Sequence, residues 1–208
     1  VIGIFGGTFD PIHYGHLRPA VEVQQGLGLA QVRFVPLAEP VHRQRPTASA
    51  ELRLAMVRAA IAGVPGFIAD DREIRRQGGS YTLDTLQELA SEHPGTRLCL
   101  CVGGDAFAEF LTWHRPLAIL ELAHLIVMGR PGPAQRQRRD LEELARSRSV
   151  RSAEELRRIR AGCIYFQTVT QLDISATAIR ALIAEHRDAR FLLPNDVIEI
   201  ILRHRLYA

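Results

Sequence analysis

A regular alternation of short apolar runs with segments of helical spacing constrains this chain more than any other feature. Strand-like runs recur at residues 1–5, 32–37, 67–69, 98–102, 125–128 and 164–166. Helical spacing fills most of the gaps, at 16–27, 50–62, 82–92 and 116–122. Apolar strands without polar alternation are buried on both faces, and helices supply the crossovers that parallel strands need. The pattern predicts an α/β fold: a Rossmann-like, doubly wound parallel sheet with helices on both faces. With 208 residues, a single domain over 1–208 is expected. A helical part closes the chain from about residue 174. Its first helix begins at Ser175, a good N-cap, with Ile174 and Ile179 as a hydrophobic staple. Its second starts at Pro194, with acids early and bases late.

The turn after the first run carries the most specific string, Gly6-Gly7-Thr8-Phe9-Asp10-Pro11-Ile12-His13-Tyr14-Gly15-His16. Glycines let the backbone approach an anion closely, and the N-terminus of the following helix presents free N–H groups to it. Pro19 is expected in the first turn of that helix, where a missing N–H costs little. His13 and His16 add side-chain donors on the same side, so the segment reads as a phosphate site. The chain lacks G-x-x-x-x-G-K-[ST], and its first turn is not G-x-G-x-x-G, which sets aside the P-loop and dinucleotide fingerprints. Two histidines three apart also suit a metal, but no cysteine or further histidine lies close in sequence, and no metal site is expected.

Composition narrows the classes. No apolar stretch reaches ~18 residues, so no membrane span is expected, and no signal-peptide pattern opens the chain. The odd number of cysteines (Cys99, Cys101 and Cys163) argues against a disulfide framework. Cys99 and Cys101 share one strand face and read as small buried hydrophobes, which suits a reducing cytoplasm. All 26 basic residues are arginine, so any cation a site needs must be a guanidinium. A net charge of +3 suits an anionic substrate without demanding nucleic acid. The one compositional shift is Arg-rich, with nine arginines against five acids between Gln135 and Arg160. It has thin apolar stripes (Leu141, Leu144, Ala145, Leu156 and Ile159) and no aromatic for base stacking. It reads as a solvated helical insertion around 133–161, and no nucleic-acid partner is expected.

Further constellations lie near strand ends. His42 and Arg43 follow a proline-stiffened loop after the second run. They read either as an exposed basic pair or as a grip on the outer phosphates of a triphosphate. Ser80-Tyr81-Thr82 opens a helix after two glycines, as capping chemistry or as N–H groups that receive a ligand carboxylate. Gly103-Gly104-Asp105 is either a plain turn or an acid placed for ribose hydroxyls. Trp113 and His114 stand before Pro116, with core aromatic and loop both open. In Ile174-Ser175-Ala176-Thr177-Ala178-Ile179-Arg180, a cation sits early in a helix, where the dipole disfavours it by ~0.3–1 kcal/mol. A bound anion beside Ser175 and Thr177 would reverse that penalty.

The string at 6–16 closely resembles the signature of nucleotidyltransferases of the H-x-G-H type. Together with the segments at 40–43, 80–82, 103–105, Trp113, 130–132 and 174–180, it resembles the bacterial nicotinate-mononucleotide adenylyltransferases from end to end. One departure is Val41, where that family usually has a second proline. The resemblance implies transfer of AMP from ATP to nicotinate mononucleotide, giving deamido-NAD and pyrophosphate without a covalent intermediate. It implies His13 and His16 as catalytic. ATP would fall to Gly6, Gly7, Thr8, Phe9, Gly15, Arg43, Gly103, Asp105, Ile174, Ser175, Thr177 and Arg180. Nicotinate mononucleotide would fall to Asp10, His42, Tyr81, Thr82, Trp113 and His114. Mg²⁺ would be carried with ATP. A pantetheine-phosphate adenylyltransferase shares the first signature but lacks the S-Y-T and tryptophan segments. A nucleotide sensor is disfavoured by the intact histidines, and an RNA binder by the missing aromatics. Oligomeric state is not legible in the sequence.

Overall fold

The structure, a computed structural model, describes residues 1–38, 46–76, 78–129 and 138–208. In chain order the elements are β1 (Ile2–Gly7), α1 (Tyr14–Leu27), β2 (Gln31–Pro36), α2 (Ala50–Ala60), β3 (Phe67–Ala69), α3 (Arg72–Arg75), α4 (Thr82–Glu92), β4 (Leu98–Gly103) and α5 (Gly104–Ala108). A 3-10 turn at Phe110–Thr112 leads to α6 (Pro116–Leu122), β5 (Ala123–Gly129), α7 (Arg139–Arg148), α8 (Ala153–Arg158), β6 (Ile164–Thr168), α9 (Ala176–Ala184) and α10 (Asn195–Arg203). The six strands form one sheet in the order β3-β2-β1-β4-β5-β6. β1 pairs parallel with β4, β4 with β5 and β5 with β6. This is the doubly wound Rossmann-like order, reversing at β1 and β4, so the loop that leaves β1 stands where such sheets bind ligands.

The chain divides into two compact units. The first comprises Val1–Phe5, Glu22–Val32 and Tyr81–Thr170. Its core is apolar strand: Ile2, Ile4 and Phe5 of β1, Leu98 to Val102 of β4 and Leu125 to Val127 of β5 are all buried. Cys99 and Cys101 are buried in β4 as free thiols, and burial pushes the Cys99 thiol up to about 12. The second unit comprises Gly6–Val21, Arg33–Ser80 and Gln171–Ala208. Phe34 packs there between Phe9 and Phe67, and α10 lies on α2. Among the described residues, no helix is long and apolar enough to cross a membrane.

Three local readings need correction. α1 begins at Tyr14, two residues before the expected start, so Pro19 lies inside the helix and not in its first turn. The main-chain acceptor one turn back therefore goes without its usual helical donor. Gly103–Asp105 is no plain turn, because Gly103 is the N-cap of α5 and Asp105 sits in its first turn. Pro194 caps α10 from outside the helix. The stretches at 40–43 and 130–132 that carry part of the family resemblance lie outside the described residues.

The Arg-rich stretch has a structural part within the first unit. Leu141 and Leu156 are buried, Ser152 caps α8, and Ile159 is exposed. α1 has no basic residue in its own last turn. Arg157 of α8 supplies one, donating from Nη2 to the Leu27 carbonyl at 2.9 Å. A cation there satisfies an orphan carbonyl and opposes the helix dipole. Arg157→Ala is expected to lower stability by roughly 0.5–1 kcal/mol, read as a reduced urea midpoint at unchanged m.

Candidate active site

The second unit gathers the loop after β1 and the opening of α9. Gly15 permits this meeting: a Cβ there would lie 2.9 Å from the His13 ring and 3.2 Å from the Ile174 carbonyl oxygen. Gly7 is needed for a similar reason, since its Cβ would stand 2.9 Å from the Phe9 ring. Gly6 has open space around it and Thr8 is half-buried. Ser175 is the N-cap of α9 and accepts from Ala178 N at 3.1 Å. Ser175 and Thr177 are exposed, and Ile174 is half-buried.

His13 and His16 stack with ring centroids 3.8 Å apart. The His13 main-chain N–H donates to His16 Nδ1 at 3.3 Å, so the proton of a neutral His16 ring resides on Nε2. His13 Nδ1 is buried and has no hydrogen-bond partner among the described residues. Burial lowers the His13 pKa to about 4. It lowers His16 to about 3, with the neighbouring His13 charge as the second cause. Both rings are therefore neutral at physiological pH. They offer N–H donors that carry no charge to be neutralised.

The cation early in α9 has a protein acceptor. Arg180 Nη1 donates to the Asp10 carbonyl at 2.8 Å, and Nη2 lies 3.3 Å from Thr177 Oγ1. A bound anion is thus not the only group that offsets its position in the helix. Asp10, expected at the mononucleotide, is 5% exposed and turns its carboxylate to the protein. Oδ2 accepts from Thr47 N at 2.8 Å, while Oδ1 accepts from Ala48 N at 3.1 Å and from Tyr207 OH at 2.7 Å. Phe9 holds a left-handed backbone with φ 50°, a strain of about 1–3 kcal/mol for a non-glycine residue.

Two residues at this loop were not anticipated. Arg53, 1% exposed, donates to the carbonyls of Ala48, Thr8, Leu37 and Ala38. Its signal was a charged residue on the stripe that also buries Met56 and Val57. Tyr207 carries no local signal. His42 and Arg43 lie outside the described residues.

The first unit holds the other candidates. Tyr81 is the N-cap of α4 and makes no side-chain cap hydrogen bond, so the amides from Thr82 onward open without one. The Tyr81 ring lies 4.8 Å from that of His114. Trp113 packs on Phe110 at 5.7 Å and is half-buried, which combines the core and loop readings. Gly103 and Asp105 are exposed at the opening of α5.

A glycine-lined loop, a neutral histidine pair at a helix N-terminus and a guanidinium bonded to the same loop are thus gathered in the second unit. The chain belongs to the cytidylyltransferase-like family, whose model matches residues 4–182. Within it, the chain is 48% identical over 205 residues to a protein of Acidithiobacillus ferrooxidans named as a probable nicotinate-nucleotide adenylyltransferase, covering 98% of this chain and 94% of the relative. A Methylococcus capsulatus protein of the same name is 44% identical, with full coverage of both chains. The fold matches a Plasmodium falciparum nicotinic acid mononucleotide adenylyltransferase complexed with NaAD, at TM-score 0.74 and 17% identity over 99% of this chain and 96% of that one.

The depressed histidines make stability depend on acid. An unfolded chain protonates each ring near pH ~6.5, whereas the folded chain does so only near about 4 and about 3. Between those limits the unfolded state binds more protons, so stability falls as pH falls. Above the unfolded value the rings contribute no pH dependence. The urea midpoint is expected to drop between roughly pH 7 and 5, and His16→Gln to flatten that slope.

Proposed function

We propose that this chain transfers AMP from ATP to nicotinate mononucleotide, releasing pyrophosphate and forming deamido-NAD. The observation that carries the chemistry is the stacked, neutral His13–His16 pair at the start of α1, with Arg180 reaching the same loop. End-to-end likeness to nicotinate-nucleotide adenylyltransferases supports the choice of acceptor.

In this reading a phosphate oxygen of the mononucleotide attacks the α-phosphorus of ATP. The new P–O bond forms in line as the bond to the pyrophosphate oxygen breaks. The nucleophile is already an anion, so no general base or covalent enzyme intermediate is needed. Catalysis consists of alignment and charge stabilisation. His16 donates from Nε2, and His13 from its ring, to oxygens at the reacting phosphate. Arg180, Arg43, Ser175 and Thr177 hold the triphosphate, with the amides of Gly6 to Phe9 and Gly15 lining it; Ile174, Gly103 and Asp105 serve the nucleoside. Bound with ATP, Mg²⁺ would neutralise charge on the outer phosphates. The N–H donors at the loop do not ligate a cation, so such an ion would be held by phosphate oxygens.

His16→Ala is expected to lower kcat by about 10²-fold or more, as loss of one preorganised donor does elsewhere. ATP should still bind. Steady-state pyrophosphate release checks this, and near-normal turnover would remove His16 from the mechanism.

The nicotinate ring is assigned to Tyr81, Thr82, Trp113 and His114, with His42 completing the mononucleotide set, while the Asp10 carboxylate stays turned to the protein. Main-chain N–H groups at the opening of α4 donate to the carboxylate. The amide of nicotinamide would bring N–H₂ against them and leave buried groups unpaired, at ~1–3 kcal/mol each. A preference for nicotinate over nicotinamide mononucleotide of at least roughly 10²-fold in kcat/KM is expected. Comparable kcat/KM for the two acceptors would make the enzyme dual-specific.

A further inference from the structure

Phe9 carries a full aromatic side chain, 3% exposed, on a left-handed backbone. Such a conformation persists only where its surroundings over-determine it. The carbonyls on both sides of Phe9 are held by guanidinium groups: Thr8 O by Arg53 at 2.7 Å and Asp10 O by Arg180 at 2.8 Å. The Asp10 carboxylate is fixed separately by the Tyr207 hydroxyl at 2.7 Å, beside the amides of Thr47 and Ala48. Held in this way, the Phe9 ring meets the His16 ring edge-on, with centroids 5.2 Å apart and planes at 80°. It also occupies the space beside Gly7. Arg180 serves the substrate as well, but the interactions of Arg53 and Tyr207 here are with the protein.

We propose that Tyr207 and Arg53 are positioning residues for phosphate transfer: they hold Phe9 in its left-handed turn and so fix the ring of His16 against the reacting phosphate. Tyr207 works through the Asp10 carboxylate, on the far side of Phe9 from Arg53. Arg53 works through the Thr8 carbonyl and ties it to the carbonyls of Leu37 and Ala38 at the end of β2. The inference rests on the adenylyltransferase reading in one respect, that His16 touches the phosphates.

The test is steady-state kinetics with ATP and nicotinate mononucleotide on Tyr207→Phe, which keeps the ring and deletes the donor. Loss of one hydrogen bond to a charged group should lower kcat roughly tenfold and leave both KM values within about twofold. In a His16→Ala background the same substitution should have no further effect on kcat, because two changes acting through one group do not add. Arg53→Lys repeats the experiment from the other side of Phe9, since a compact ammonium does not replace the planar fork on four carbonyls. It too should lower kcat in the parent and not in His16→Ala. Circular dichroism confirms that each variant folds. An unchanged kcat per folded molecule, or a loss as large in His16→Ala as in the parent, overturns the proposal. Near-normal turnover of His16→Ala alone instead overturns the role of His16, and with it the route by which Tyr207 acts.

Discussion

The structure of the second unit depends on one buried guanidinium. Arg53 donates to the carbonyls of Thr8, Leu37, Ala38 and Ala48, groups from three stretches of chain. Taking that cation out of water is costly, and burial pulls its pKa down, opposed by the neighbouring charge of Asp10. The cost is offset by the charge-assisted hydrogen bonds that one cation makes to four carbonyls. A planar fork is the shape that reaches four such oxygens from one point. With those carbonyls fixed, the loop after β1 has a defined path and the histidines at its far end have defined rings.

Desolvation organises the chemistry in a second way. The same packing that buries Phe9 and stacks His13 on His16 removes the charge from both rings. A charged pair at that separation would repel, whereas a neutral pair tolerates contact and still donates. Positive charge at the loop then comes from Arg180, which rests partly on a main-chain carbonyl and retains further N–H groups.

The parts legible in the sequence were those governed by neighbours in the chain. Apolar runs located all six strands, and Ser175 marked its own cap, since both signals depend on local spacing. Four-residue α3 is shorter than any periodicity can register, and glycine at the start of α5 masked a helix behind the look of a turn. Arg53 was visible only as a charge on a buried stripe; its four acceptors lie on separate segments. Asp10 was placed at the substrate by the family resemblance alone, and nothing in its local sequence marks the partners its carboxylate takes. Its true partners, Thr47, Ala48 and Tyr207, are tens to hundreds of residues distant, where no local rule reaches.

That distance has a kinetic meaning. The Asp10–Tyr207 hydrogen bond spans 197 positions. During synthesis, Asp10 is made long before its hydroxyl partner exists. Contacts of such separation close late, after their loop entropy is met by the rest of the fold. A nascent chain that has not reached Tyr207 therefore has an unclamped first turn however well its strands have paired, and the full rate of the chemistry waits on that one hydroxyl.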